Sequence, residues 1–181
     1  MTTYQGSNVY LRFFMPEDAA ALLDLELRNR RVFEQFSAVE RDDAFYTLEK
    51  QSGRIAGWEI AREEKRNYSF GIFLHENDML TGDISLAHIV LDSQQKWILG
   101  YLLDQDHQGK GYMSEAVPLV LEYAFKEADI RQIEAGVKPT NAGSIKVLKK
   151  AGFQEQGLVH NLVKINGKFE EHVMFYINRS E

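Results

Sequence analysis

Residues 96–104, KWILGYLLD, limit the fold of this chain more than any other segment. They are mostly large apolar residues with little alternation between apolar and polar positions, which is typical of a strand buried on both faces. We therefore place this segment at the centre of a sheet. Two alternating segments, 68–74 and 80–91, precede it, and the tetrapeptide HEND separates them as a turn signal. The middle of the chain thus predicts three consecutive antiparallel strands.

Helical patterns lie before these strands. Residues 8–15 predict a first strand that ends at Pro16, because the residue before a proline favours extended backbone. The apolar spacing after Pro16, with acidic residues first and arginines last, predicts a helix that runs to about residue 31. A charged segment with a sparse apolar face predicts a second helix over residues 40–64.

Helices and strands alternate in the last part of the chain. The apolar segment after residue 112 predicts a helix, in which Pro118 should cause a bend or a late start because proline removes a helix hydrogen bond. A cap at residues 140–141 begins the last helix, and Gly152 ends it. Asn166-Gly167 is a hairpin signal between two final strands. The remaining predicted elements are a short strand at 131–137, a helix at 140–152 and two hairpin strands at 153–165 and 169–178.

The order of predicted elements is β-α-α-β-β-β-α-β-α-β-β. This order describes an α+β fold around a mixed, mostly antiparallel central sheet of about seven strands, flanked by about four helices. A length of 181 residues suits one domain, and no repeat, linker or low-complexity segment divides the sequence. We therefore expect a single domain over residues 1–181.

Charge and composition exclude several classes of function. Lys and Arg total 21 against 27 Asp and Glu, so a formal net charge of -6 offers no basic surface for nucleic acid. The absence of cysteine excludes disulfides, thiolate metal sites and a cysteine nucleophile, and the histidines lack metal-ligand spacing, so we expect no metal. The N-terminus does not resemble a secretory signal, and no apolar run approaches the length of a membrane span. We therefore expect a soluble cytoplasmic protein with no direct contact to nucleic acid or membrane.

Residues 108–113, QGKGYM, stand between the central strand and a helix. Glycines at such a place let the backbone approach a ligand closely, and the unpaired N–H groups of the first helical turn attract an anion such as a pyrophosphate. The spacing is neither that of a P-loop nor that of a dinucleotide fingerprint. The residues by themselves leave two interpretations open, an anion cradle and a plain turn before a helix.

Two motifs resemble one known family. Residues 108–113 resemble the acetyl-CoA signature Q/R-x-x-G-x-G/A of the GNAT N-acetyltransferases, and residues 141–153, NAGSIKVLKKAGF, resemble that family's second signature. The resemblance covers nearly the whole chain and is nearest to the RimJ/RimL type, which acetylates the N-termini of ribosomal proteins. It implies a GNAT-like fold and acetyl-CoA as cosubstrate. The cofactor-binding residues that it implies are Leu102, Leu103, Gln108, Gly109, Lys110, Gly111, Tyr112, Met113, Ser114, Asn141, Ser144 and Lys149.

The sequence departs from the family pattern at three positions. Met113 stands where glycine or alanine is usual, so we expect its side chain to turn into the core. Ile98 and Leu148 stand where relatives often carry a catalytic carboxylate and a tyrosine acid. These departures leave the identity of the general base open.

The implied reaction moves an acetyl group from acetyl-CoA to a primary amine. It needs a base for the amine, a donor for the thioester oxygen and a donor for the leaving sulfur. A main-chain N–H near Leu102 or Leu103 is the candidate for the oxygen, and Ser144 is the candidate for the sulfur. Because the chain has no cysteine, we expect direct transfer in a ternary complex. The candidate catalytic bases, besides a water chain, are Glu134, His88 and Asp83.

The acceptor is not specified by any motif. We expect a protein or peptide N-terminus, such as that of a ribosomal protein. A small amine or antibiotic as acceptor, a non-catalytic acyl-CoA-binding module and a ligand-free structural domain are the alternatives. The acceptor pocket should lie between the first two helices and the far side of the central strand. The apolar last strands suit a homodimer. The aromatic residues available to the pocket are Phe33, Phe36, Trp58, Tyr68 and Tyr101.

Overall fold

The centre of the fold is one mixed sheet. The computed structural model describes residues 1–38, 40–91 and 93–180, and in that part of the chain the sheet has eight strands. The strands are β1 (Tyr4–Gln5), β2 (Val9–Phe13), β3 (Asn67–Leu74), β4 (Leu80–Leu91), β5 (Gln94–Leu103), β6 (Gln132–Val137), β7 (Gln154–Ile165) and β8 (Lys168–Asn178). The helices are α1 (Ala19–Arg28), α2 (Arg30–Phe33), α3 (Leu48–Glu63), α4 (Tyr112–Lys126) and α5 (Ala142–Lys150).

The strands lie in the order β1-β2-β3-β4-β5-β6-β8-β7 across the sheet. All neighbouring pairs are antiparallel except β5 and β6, which are parallel. The predicted α+β class and the central place of β5 are therefore confirmed. The described residues contain one strand and one helix more than the sequence predicted, because the two-residue strand β1 carries no periodic signal and the first predicted helix is divided into α1 and α2.

Helices cover both faces of the sheet. Successive side chains of a strand point to opposite faces, so β3 contributes Phe70 to one buried cluster and Phe73 to the other. The cluster around Phe70 is completed by α4, through residues such as Val117. The cluster around Phe73 is completed by α1 and α3, through Leu22 and Ile55. The sheet is thus the middle layer of three.

The first predicted helix is divided at Asn29. This residue is fully buried, and its side-chain Nδ2 donates to the Leu25 carbonyl at 2.9 Å. Its Oδ1 accepts the main-chain N–H of Gln105 at 2.8 Å. The break between α1 and α2 therefore anchors these helices to the segment that follows β5.

The second predicted helix begins later than its charge pattern indicated. α3 begins at Leu48, where the Thr47 side chain accepts the N–H of Lys50 at 3.2 Å as a cap. A separate 3-10 turn, Asp43–Tyr46, precedes it and is capped by Asp42. The predicted start at residue 40 is wrong because two local caps divide this segment.

α4 begins at Tyr112, so the late start predicted from Pro118 is wrong. Pro118 lies inside the helix on its exposed side, while Val117 and Val120 beside it are fully buried. Proline in a helix interior costs about 3 kcal/mol, and the burial of the surrounding apolar side chains offsets this. No helix within the described ranges has both the length and the apolar character to cross a membrane.

The predicted final hairpin is confirmed. β7 and β8 are joined by Asn166 and Gly167, whose φ angles are 50° and 79°. Two consecutive positive φ angles define the turn that an Asn-Gly pair favours.

Candidate active site

An opening interrupts the sheet between β5 and β6. β5 and β6 are parallel, and among the described residues they are paired at one position, Ile98 with Glu134. In contrast, β5 pairs with β4 from Gln94 to Leu103. β6 pairs with β8 along its length instead. Beyond Ile98 the described residues of the two strands share no further register pair, and both strands line a cavity of about 400 Å³.

The cavity reaches both faces of the sheet. Tyr101 and Leu102 are successive residues of β5, so their side chains point to opposite faces. The Tyr101 hydroxyl lies 3.4 Å from the Ser144 carbonyl oxygen of α5, whereas Leu102 packs with the α1 and α3 cluster. We call these faces the α5 side and the α3 side. The α5 side is lined by Asn141, Ser144 and Leu148, and the α3 side by Phe36, Arg41, Arg54, Trp58, Asp83 and Ser85.

Two main-chain N–H groups of β5 face the opening. The N–H of Asp104 donates to the Thr81 carbonyl of β4 at 2.7 Å. Peptide groups alternate in direction along a strand, so the N–H of Leu102 also points to β4, and those of Tyr101 and Leu103 point towards β6. Because β6 does not pair there, both are available to a ligand oxygen. The prediction of a released N–H at Leu102 or Leu103 is therefore corrected to Tyr101 and Leu103.

The loop between β5 and α4 has the geometry of an anion cradle. Gln108 anchors it, because its Nε2 donates to the Leu103 carbonyl at 3.2 Å. Gly109 and Gly111 have φ angles of 74° and 83°, which side chains strongly disfavour. Gly111 is the N-cap of α4 and has no side-chain cap, so the first-turn N–H groups can bind an anion. The side chain of Met113 is buried in the core, as predicted.

α5 places two polar side chains on the cavity wall. Asn141 caps the helix, with its Oδ1 accepting the N–H of Ser144 at 3.1 Å. The cap holds the first turn, and with it Ser144, at the opening. Tyr101 lies against this turn, and burial raises its pKa to about 12, with the contact to Ser144 acting in the opposite direction. The Tyr101 hydroxyl therefore keeps its proton at neutral pH.

Of the described residues that line the cavity, Asp83 is the one with an acidic side chain. Its pKa is raised to about 6, chiefly by burial and also by the negative charge of Glu26, while Arg54 and Arg41 act in the opposite direction. At pH 7 such a carboxylate is mostly ionised, yet it is a stronger base than an exposed one. A group with these properties suits proton removal from a substrate.

A buried ion cluster stands beside Asp83. Glu26 is fully buried and accepts hydrogen bonds from Arg41 at 2.7 Å and from Arg54 at 2.8 Å. Both guanidinium groups lie over the Phe45 ring, at 4.9 and 4.8 Å from its centroid. Buried charges need such pairing. Sequence reasoning did not single out these arginines, because they belong to no motif and come from different elements.

Comparison with known proteins places the chain in a family. A family model described as an acetyltransferase (GNAT) domain matches residues 8–154. The chain belongs to the GNAT acetyltransferase family. It is 44% identical over 173 residues to the probable N-acetyltransferase YjcK of Bacillus subtilis (strain 168), over 96% of this chain and 95% of that protein.

Solved structures show the same GNAT fold. The ribosomal-protein-S5-alanine acetyltransferase of Vibrio fischeri matches with a TM-score of 0.91 and 25% identity, over 100% of this chain and 98% of the other. RimJ of Mycobacterium smegmatis, in complex with CoA-disulfide, matches with a TM-score of 0.86 and 23% identity, over 94% and 81% of the two chains. The resemblance to the RimJ/RimL type is confirmed.

Acetyl-CoA is the cosubstrate of the GNAT family, and the residues of this site fit it. The uncapped N-terminus of α4 suits an anionic pyrophosphate. The free N–H groups of Tyr101 and Leu103 suit carbonyl oxygens of the pantetheine arm and thioester. Lys149, which was predicted to bind CoA, forms an ion pair with Glu155 at 3.1 Å. Residues 1–38, 40–91 and 93–180 contain no group of three or more His, Asp or Glu that could hold a metal ion.

Two predicted catalytic residues lie outside this GNAT cavity. Glu134 is buried and forms an ion pair with Lys96 at 3.3 Å. His88 stacks on Trp97 with 4.7 Å between ring centroids. Neither side chain lines the cavity, so the structure separates both from the place where an acceptor amine could react. Asp83 is the candidate base that the fold brings there.

The aromatic residues predicted for the acceptor pocket divide into two groups. Phe36, Trp58 and Tyr101 line the cavity. Phe33 is buried beneath the Arg41 guanidinium, and Tyr68 packs edge-to-face on Tyr123 in the core on the α4 face. The predicted location of the pocket agrees with the cavity, while two of the five aromatic residues serve the core.

Proposed function

We propose that this protein transfers the acetyl group of acetyl-CoA to the α-amino group of a protein or peptide. The observation that carries the proposal is the opening between β5 and β6, which joins an acetyl-CoA site to a second cavity wall containing Asp83. The similarity to an acetyltransferase named for alanine of ribosomal protein S5 supports a protein N-terminus as acceptor. A ribosomal acceptor would place the reaction in the cytoplasm.

Proton removal and departure of the leaving group take place on different sides of the cavity. On the α3 side, Asp83 accepts a proton from the substrate ammonium, and the freed nitrogen lone pair attacks the thioester carbon. The carbonyl oxygen gains negative charge, which the N–H groups of Tyr101 and Leu103 stabilise by hydrogen bonding. The C–N bond then replaces the C–S bond.

The leaving thiolate is placed on the α5 side. The Ser144 hydroxyl hydrogen-bonds the sulfur and promotes its departure. As the C–S bond breaks, the nitrogen loses its second proton, and this proton converts the thiolate to CoA thiol. The proton that Asp83 removed returns to solvent, which restores the base. Since the chain contains no cysteine, no acetyl-cysteine intermediate forms, and the acetyl group passes directly between the bound substrates.

A substrate panel tests the proposal. The purified protein is incubated with acetyl-CoA and, separately, with peptides that begin with Ala or Ser, with spermidine and with an aminoglycoside. We expect release of CoA thiol with the peptides, and mass spectrometry should place one acetyl group on the α-nitrogen. An Nα-blocked peptide of the same sequence is the control and should not react.

Two results would contradict the proposal. Thiol release with spermidine or the aminoglycoside alone would indicate a small-amine acetyltransferase. Tight CoA binding without transfer to any amine would indicate an acyl-CoA-binding module.

A further inference from the structure

His172 of β8 is a buried polar residue of the cavity wall that takes no part in the proposed transfer. It is 6% exposed, and it lines the cavity. Phe175 of the same strand packs in the cluster around Phe70, so the side chain of His172, three residues earlier, points to the α3 side. His172 and Asp83 therefore share one face of the sheet, on opposite sides of the opening.

The two residues also lie at the same level along the strands. Asp83 pairs with Leu102 of β5. Continued by one residue, the register of β6 with β8 places His172 opposite Lys138. Leu102 and Lys138 each lie four residues beyond the described pair between β5 and β6. A substrate that crosses the opening on the α3 side therefore has Asp83 at one end and His172 at the other.

Two contacts orient the His172 ring. Its Nδ1 lies 3.3 Å from the Glu170 carbonyl oxygen, which can only accept, so Nδ1 carries the proton and Nε2 presents a lone pair. Its Cδ2 lies 3.7 Å from the position that a Cβ on Gly136 would occupy, and Gly136 lines the cavity. Nε2 is bonded to Cδ2, so the lone pair lies on the edge of the ring that faces Gly136 and the cavity.

The Nε2 acceptor has no donor among the described residues. In that part of the chain, the unpartnered side-chain N and O atoms that are enclosed by protein are Arg41 Nε and His107 Nδ1, so Nε2 keeps access to the cavity. The cation opposite it is engaged elsewhere, because Lys138 Nζ donates to the Gln35 carbonyl at 3.2 Å and lies 3.6 Å from a Glu170 oxygen. Buried acceptors are almost always paired, so Nε2 is left for a donor that enters the cavity.

The donor that reaches Nε2 differs from the reactive amine. Three strand intervals of about 4.8 Å separate β4 from β8, so the backbones at Asp83 and His172 are at least ~14 Å apart. The two side chains cover about 4 Å each, which leaves about 6 Å at normal strand spacing. One nitrogen with two hydrogen bonds of about 3 Å spans that distance and no more, and the opening makes it larger. In a peptide the next amide nitrogen lies about 3.5 Å beyond the amine, which supplies the missing length.

We propose that His172 Nε2 accepts a hydrogen bond from the first amide N–H of the acceptor, while Asp83 holds its amine. The acceptor is then an aminoacyl amide, which in a protein is the N-terminal residue and the peptide bond that follows it. Free amino acids and amino esters lack this N–H. The inference rests on the proposed acetyl transfer and names the acceptor class of that site.

The test compares two acceptors that differ in this donor. Alaninamide has the amide N–H, and alanine methyl ester has an ester oxygen in its place. His172→Phe keeps a ring and removes the acceptor, and His172→Gln restores an oxygen that can accept. His88→Phe is the matched control, because His88 stacks on Trp97 outside the cavity. The ratio of the two acceptors on one protein is independent of the folded fraction, so a loss of stability cannot imitate the result.

We expect H172F to lower kcat/KM for alaninamide by roughly five- to a hundredfold, the range for a buried donor that loses its partner. The value for the methyl ester should stay the same or rise, because Nε2 and the ester oxygen are both acceptors. H172Q should recover part of the alaninamide rate. H88F should leave the ratio of the two acceptors at its wild-type value.

A binding measurement separates this inference from the proposed function. Calorimetric titration of alanyl-alaninamide into protein saturated with CoA needs no turnover, and H172F should weaken this binding while H88F does not. An equal acceptor ratio in wild type and H172F, or equal dipeptide binding by both, would overturn the role of His172 and leave acetyl transfer standing. Transfer to neither acceptor by the wild type would instead reject the proposed function, and the titration would still decide whether His172 binds the amide.

Discussion

The groups around Asp83 set its pKa and therefore its strength as a base. A carboxyl with an ordinary pKa of 3.8 acquires a pKa of about 6, because burial and the charge of Glu26 disfavour ionisation more than Arg54 and Arg41 favour it. The folded protein therefore holds its proton more tightly than the unfolded chain does. Ionisation of Asp83 costs stability progressively as the pH rises from about 4 to 6.

Asp83→Asn should lower kcat/KM by roughly a hundred- to ten-thousandfold, the usual contribution of a general base. In the wild-type profile, kcat/KM should rise as the pH increases through about 6, because Asp83 must be ionised, and the variant should lose this limb. Steady-state rates between pH 5 and 9 measure both effects. Glu134→Gln is the matched control and should keep the limb, since Glu134 pairs with Lys96 outside the cavity.

Stability distinguishes a lost base from a lost fold. D83N removes a charge that the folded state disfavours, so its free energy of unfolding at pH 7.5 should equal or exceed that of the wild type. A less stable D83N would contradict the raised pKa of Asp83, and an unchanged rate profile would count against Asp83 as the base.

Ser144→Ala should lower kcat by roughly tenfold or more while acetyl-CoA binding is retained, because the hydroxyl acts on the sulfur as it leaves. Tyr101→Phe removes a hydroxyl from the same wall, where it contacts the Ser144 carbonyl, and should have the smaller effect. Single-turnover rates with saturating acetyl-CoA provide the comparison. The reverse order would assign the sulfur donor to Tyr101.

At the scale of elements, the site depends on where α4 begins. Gly111 is its N-cap, with a φ of 83° and no atom within 4 Å of the position that a Cβ would occupy. An added methyl group would therefore meet no clash and would act through backbone strain. A Cβ at residue 111 would therefore fit sterically, but the positive φ of this residue disfavours any side chain.

Gly111→Ala should lower the free energy of unfolding by about 1 kcal/mol and weaken CoA binding, because the strained cap shifts the first-turn N–H groups. Gly57→Ala is the matched control within α3, where a Cβ also meets no atom within 4 Å. It should raise stability by roughly 0.5–1 kcal/mol and leave CoA binding unchanged. Thermal unfolding with and without CoA measures both, and equal CoA affinities for the two variants would refute the cradle.

At the scale of the whole molecule, ligand binding should appear as added stability. CoA at a hundred times its Kd stabilises a protein by about 2.7 kcal/mol, which corresponds to a rise in Tm of roughly 5–10 °C for a chain of this size. D83N should keep the full shift, since Asp83 lies on the α3 side, and G111A should reduce it. A shift that D83N abolishes would contradict the separation of the two cavity walls.

Prediction from sequence succeeded where the signal was local. The alternation of β3 and β4, the cap at Asn141 and the hairpin at Asn166-Gly167 each depend on neighbours along the chain. It failed where a distant partner decided the local structure. Asn29 divides the predicted helix because its side chain accepts the main-chain N–H of Gln105. Pro118 is accommodated because α4 packs on the sheet.

The sequence without the fold establishes the order of the main elements, a glycine-containing turn before α4 and, through the absence of cysteine, the exclusion of an acetyl-cysteine intermediate. Propensity, capping and composition act within a few residues, so they can be read without the fold. Only the folded chain contains the opening beyond Ile98 and brings Asp83, Arg41 and Ser144 around it. These residues come from separate elements, and their contact follows from strand pairing and core packing, which no local pattern encodes.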